Sequence, residues 1–173
     1  MPESPTSASS RVQICSMATT AEAIAFGHIS QEWIQRLFAL TDADRPLLND
    51  PLGRIVEPGG DVIIARKQNS SEIIGCVALI AYPDHVIELS KMAVAPAAQG
   101  HGVGRLLVTA AIKRASELQG RRLSRGTNTK LAPAVHLYDE VFRRIDADQL
   151  PVANYYARAD ILMALRLDDQ MGT

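Results

Sequence analysis

The chain has 173 residues, 47% of them apolar and 21% charged, and its net charge is −1. This predicts one globular domain that buries about two thirds of its unfolded surface, and it excludes recruitment to nucleic acid or anionic membrane by whole-protein charge. No apolar run reaches the ~18 residues of a bilayer span. The opening "MPESPTSASS" lacks the basic and apolar regions of a signal peptide, so residues 1–10 are expected to be a loose polar tail before a single domain over 11–173. Cys15 and Cys76 lie in apolar runs without a His or CxxC neighbour. They are expected to be buried free thiols in a reducing cytoplasm, with neither a metal nor a redox role.

In chain order, Val12–Met17 predicts a first strand. From Thr19 to Leu40 the apolar residues Ala23, Phe26, Trp33, Leu37 and Leu40 fit a helical stripe, and Thr19 or Thr20 with Glu22 supplies a capped, acidic start. "TDADRPLLNDPLG" predicts a short second helix with a Pro/Gly exit. The stretch from Gly59 to Pro96 reads as three strands divided by "KQNSSE" and "YPDH". Gly102–Leu118 is an amphipathic helix with Val103, Leu107, Ala111, Ala115 and Leu118 on one stripe. A weak strand at Leu123–Thr127, a helix at Ala132–Arg144 and strands near Ile145–Asp148 and Ala159–Leu167 complete the pattern. The order is β-α-α-β-β-β-α-β-α-β-β, an α/β domain without internal repeats.

Chemistry concentrates first in "QGHGVGR", residues 99–105. Gly100, Gly102 and Gly104 do not have the spacing of a dinucleotide GxGxxG fingerprint, and the Lys and hydroxyl of a GxxxxGK[ST] loop are missing. Three glycines at a helix start are entropically unfavourable for a mere turn. What Gln99, Gly100, His101, Gly102, Val103 and Gly104 do provide is a run of bare amides at a helix N-terminus, followed by Arg105. There the orphan donors and the positive end of the helix dipole attract an anion.

"KMAVAP" followed by "QGHGVG" resembles the Q/R-x-x-G-x-G/A acetyl-CoA motif of the GCN5-related N-acetyltransferases (GNAT). The likeness continues through "RLLVTAAIKRASEL", "TNTKLAPAVHLYDE" and "YYARADILMALRL". It implies a single-domain fold with a twisted mixed sheet of about seven strands and about four helices, splayed open between "ELSKMAV" and "LSRGTN". Acetyl-CoA would lie in that splay as cosubstrate, with no metal. By the same likeness, the backbone of Met92, Ala93 and Val94 would bind pantetheine, the amides of Gln99 to Gly104 the pyrophosphate, and Asn128 the pantetheine side. A homodimer is compatible with the family.

Tyr138 matches the tyrosine that in many relatives protonates the CoA thiolate, and a phenol near pKa 10 suits that task. A packing role beside Leu137 and Val141 is the alternative. Glu88, on the strand that forms the cleft, is a candidate general base, a substrate anchor or a solvated strand residue; strict alternation puts it on one face with Ser90 and Met92, a register that a strand bulge would alter. Glu32, Trp33, Tyr155 and Tyr156 are candidates to wall the acceptor end. Two departures from the pattern stand out. "LYDEVFRR" has Phe142 and Arg143 where relatives carry Gly-Phe, so the helix lacks its glycine stop. "RRLSRGTN" is polar for a buried strand, and Arg125 falls near the cleft, placed to meet the CoA phosphates, to bind an anionic acceptor or simply to point to water. The expected activity is direct acetyl transfer to a primary amine, small molecule or peptide, within a ternary complex. A non-catalytic CoA-binding module is the rival.

Overall fold

The computed structural model describes residues 12–146, 149 and 159–168. Its elements are β1 (Val12–Ser16), α1 (Thr20–Leu37), α2 (Asp44–Asn49), β2 (Asp61–Lys67), β3 (Ile73–Tyr82), β4 (Val86–Val94), α3 (Val103–Glu117), β5 (Arg122–Thr127), α4 (Ala132–Asp139), β6 (Arg143–Ile145) and β7 (Ile161–Arg166). A π-helical turn, Leu52–Val56, leads from α2 into β2. The strands form one mixed sheet in the order β1-β2-β3-β4-β5-β7-β6. All neighbours are antiparallel except β4 and β5, which are parallel.

Local chemistry explains most boundaries. Thr19 caps α1 by accepting from the Glu22 amide at 3.1 Å, while the Glu22 carboxylate accepts from the Thr19 amide at 2.9 Å, a reciprocal capping box. The sheet is covered on both faces, which is why β2 and β3 are almost wholly buried. One core joins Ile63, Leu79, Leu89 and Leu123 to α3 and α4 through Leu107, Ala111 and Tyr138. The other joins Val62, Ile64, Cys76 and Ala93 to Phe26 and Ile34 of α1 and Leu48 of α2. Each fully buried side chain of this size contributes about 1.5–3 kcal/mol.

Two expectations need correction. The helix expected to reach Arg144 ends at Asp139. The Tyr138 carbonyl accepts from both Val141 and Phe142, at 3.0 and 2.7 Å, and Arg144 folds back onto the Asp139 carboxylate at 2.9 Å. A shared carbonyl and an ion pair thus do the work of the missing glycine, and β6 starts at Arg143 rather than Ile145. Second, β4 does not alternate throughout. Cys76 pairs with Ala93 and Ala78 with Ser90, so Val77 alone opposes Lys91 and Met92. This is a β-bulge, and Lys91 takes φ +52° within it. The bulge turns Met92 onto the face of Leu89, toward α3 and α4. Glu88 and Ser90 therefore do not share a face with Met92.

Candidate active site

The splay begins where the β4–β5 ladder stops. Pairing is confined to Val86–Glu88 against Arg122–Ser124. Beyond Glu88, β4 pairs only with β3, and no strand pairs with its other edge, where the Arg125 guanidinium donates to the Leu89 carbonyl at 3.2 Å. A cleft of about 620 Å³ follows, lined by Met92, Ala93 and Val94 of β4, by Gln99, Gly100, Gly102, Val103, Gly104 and Arg105, and by Leu137 and Tyr138 of α4. Most residues expected to hold the cofactor thus lie along one wall. His101 sits exposed in the turn between the two left-handed glycines.

The glycine loop owes its shape to sequence. Gly100 and Gly102 have φ of +81° and +80°, a region that L side chains rarely adopt, and a Cβ at either would meet nothing within 4 Å. Conformation, rather than crowding, demands glycine there. Gly102 is the N-cap of α3 and offers no side chain to its first amides. Those donors are left open to solvent or to an anion. Gln99 closes the approach by donating from Nε2 to the Val94 carbonyl at 3.1 Å. Arg105 is paired with Glu140 at 2.7 Å, which holds the guanidinium pKa up and the carboxyl pKa down.

Tyr138 is fully buried, with its hydroxyl 3.5 Å from the Met92 sulfur and its ring edge-to-face with Phe142. The Arg125 guanidinium lies 4.2 Å from the ring centroid. Burial raises the phenol pKa, and the nearby Arg125 charge opposes that only in part. The phenol is therefore neutral, a proton donor, across the physiological range.

On the other side of the opening, beneath α1, is a cavity of about 60 Å³ lined by Ser30, Trp33, Phe38, Ser90, Lys91, Arg125, Thr127, Asn128 and Leu131. Trp33 borders both spaces. Asn128 borders this cavity, and its side-chain oxygen accepts from the Lys130 amide at 2.9 Å, fixing the turn after β5. Glu88 is fully buried and accepts from the Tyr82 hydroxyl at 2.9 Å; it lines neither space. Glu32 is exposed and lines neither space, but it is paired at 3.1 Å with Arg36, which borders the large cleft. Tyr155 and Tyr156 lie outside the described residues.

Sequence reasoning missed a buried ion pair here. Lys91 Nζ meets Asp44 Oδ1 at 2.7 Å, with side-chain exposures of 4% and 0%. Asp44 also accepts from the amide and hydroxyl of Thr41, at 2.8 and 2.9 Å. The pair ties α2 to the bulge of β4. The only local signal was Thr41 three residues before Asp44, the spacing of a cap. No group of three or more His, Cys, Asp or Glu among the described residues is arranged to hold a metal, and none of their helices is long and apolar enough to cross a membrane.

Residues 25–142 match the family model of the acetyltransferase (GNAT) family. Among curated proteins, none matches the sequence significantly. Among solved structures, the fold is similar to a GNAT-family acetyltransferase from Staphylococcus aureus Mu50, with a TM-score of 0.81 at 19% identity over 90% of this chain and 99% of that one. It is also similar to yncA, a putative acetyltransferase from Salmonella typhimurium solved with its cofactor acetyl-CoA, with a TM-score of 0.69 at 20% identity over 92% and 95% of the two chains. A third likeness is to N-acetylglutamate synthase from Neisseria gonorrhoeae in complex with coenzyme A and N-acetyl-glutamate, with a TM-score of 0.69 at 19% identity over 90% of this chain but 35% of that one. With more than half of its length matched by the family model and the splayed sheet in place, the chain belongs to the GNAT acetyltransferase family.

Proposed function

We propose that the protein transfers the acetyl group of acetyl-CoA directly to a primary amine. The observation that carries this reading is one cleft bordered both by the uncapped N-terminus of α3 and by the buried phenol of Tyr138. The amides from Gln99 to Gly104 would hold the pyrophosphate, and the free edge of Met92–Val94 would receive pantetheine as an added strand. The carboxylate of Glu88 takes one proton from the incoming ammonium. By alternation it shares with Ser90 the face of β4 opposite Leu89, and Ser90 borders the cavity beneath α1, so the proton travels by way of Ser90 or water. The free amine attacks the thioester carbonyl carbon. A C–N bond forms, the C–S bond breaks, and the sulfur takes a proton from Tyr138. The second proton leaving nitrogen restores the phenol through solvent, and Glu88 returns its own to water.

The test is a thiol-release assay with acetyl-CoA and a panel of primary amines, run on the wild type and Tyr138→Phe. The reading predicts amine-dependent release that falls about 100-fold or more in the variant, while acetyl-CoA affinity stays within about twofold. A binding module without catalysis would bind acetyl-CoA and release no thiol with any amine.

A further inference from the structure

Among the described residues two cations bury their side chains, Lys91 and Arg125, and the first is matched to a carboxylate: Lys91 meets Asp44 at 2.7 Å. The half-buried Arg114 and Arg66 likewise meet Asp61, at 2.7 Å, and Glu22. Arg125 is 6% exposed and meets no carboxylate among the described residues. Its Nη1 donates to the Leu89 carbonyl at 3.2 Å, its face lies over Tyr138, and its Nε has no hydrogen-bond partner. A guanidinium stays charged at every relevant pH, so such burial is unfavourable until an anion arrives. Thr127, two residues along the same face of β5, is 4% exposed, and its hydroxyl is also enclosed without a partner.

We infer that the acceptor is an amine that also bears a carboxylate, an amino acid in the simplest case, and that Arg125 and Thr127 receive that carboxylate in the cavity beneath α1. This rests on the acetyltransferase reading above and names its substrate class. Three observations set the choice. In the reading above the phosphates of the cosubstrate go to the glycine loop, and that loop borders the large cleft and not this cavity. A volume of about 60 Å³ walled by Trp33, Phe38 and Leu131 suits a small planar anion. The other cation at the cavity, Lys91, is already neutralised by Asp44, so one positive charge awaits one negative charge. Arginine with a hydroxyl neighbour binds a carboxylate through charge-assisted hydrogen bonds.

The experiment uses the full chain, saturating acetyl-CoA and matched pairs of acceptors: α-, β- and γ-amino acids against their primary amides, followed by thiol release. For the best acceptor the acid should exceed its amide by at least about 100-fold in kcat/KM, because a site built around a buried donor rejects a ligand that leaves it unpaired. R125Q should bring that ratio toward one, R125K should keep part of it, and T127V should lower it several-fold while leaving the fold intact by circular dichroism. Acids and amides used equally, or a ratio that survives in R125Q, overturns the inference. If neither series is acetylated, thermal melts with CoA plus N-acetyl amino acids or their amides decide: equal shifts overturn it. No thermal shift with acetyl-CoA itself is a different failure, that of the acetyltransferase reading, and the inference falls with it.

Discussion

The cleft along α3 and α4 and the cavity beneath α1 lie on either side of Met92 and Ala93, yet they are built from different materials. The first presents backbone: a free strand edge, glycines at positive φ and amides at a helix start. The second presents buried charge, with Lys91 and Arg125 among apolar side chains. A ligand common to a whole family can be held by main chain, which any sequence supplies. A ligand particular to one protein needs side chains, and charged ones must be carried inside at a desolvation cost. The bulge at Lys91 joins the two regions, since it aims Met92 at Tyr138 and the lysine at Asp44.

Breaking the charged side should have the largest effect. Asp44→Asn leaves the Lys91 ammonium without its carboxylate, and denaturant melts should show a loss of about 3–5 kcal/mol. Tyr138→Phe comes next. It removes a hydroxyl whose partner is a weakly accepting sulfur, so stability should change by about 1 kcal/mol or less, while turnover should fall by at least about 100-fold. The raised phenol pKa adds a pH signature: the proton donor is present below that pKa and lost above it, so the alkaline loss of kcat should come at higher pH than for an ordinary phenol.

Smaller effects sharpen the contrast between two kinds of glycine. A Cβ at Gly60 would fall 2.0 Å from the Leu79 carbonyl oxygen; Gly60→Ala should cost about 1–3 kcal/mol in a thermal melt and leave acetyl-CoA affinity unchanged. Gly102→Ala has open space around it, so it should cost only about 1 kcal/mol but disturb the amides proposed to hold the phosphates. The smallest effect expected is at the far end of α1. Glu22 is opposed by burial, yet hydrogen bonds from Ala18 and Thr19 and the charge of Arg66 hold its pKa below the ordinary range. Its stabilisation is present above the ordinary carboxylate pKa and lost as pH falls through the lowered one. Glu22→Gln should flatten the acid limb of the stability curve.

What the sequence disclosed followed from how locally each feature is encoded. The glycine loop and the capping box at Thr19 and Glu22 are written within a few residues, and both were legible. The β4 bulge was not, because a positive φ at Lys91 is set by the register against Cys76 and Ala78 and by Asp44, 47 residues away. That is why alternation misplaced Glu88 relative to Met92. The end of α4 was likewise hidden in a carbonyl shared by Val141 and Phe142 and in the return of Arg144. Arg125 was visible as an oddity, an arginine in a strand flanking the cleft. Only burial and the count of its partners give it meaning.

The most direct test of the account is calorimetric titration of acetyl-CoA into the wild type and Gly102→Ala. The account predicts one site per chain, with affinity reduced about tenfold or more in the variant while its melting temperature stays within a few degrees. No binding, or binding of equal strength to both proteins, would contradict the assignment of the glycine loop as the cradle of the cosubstrate.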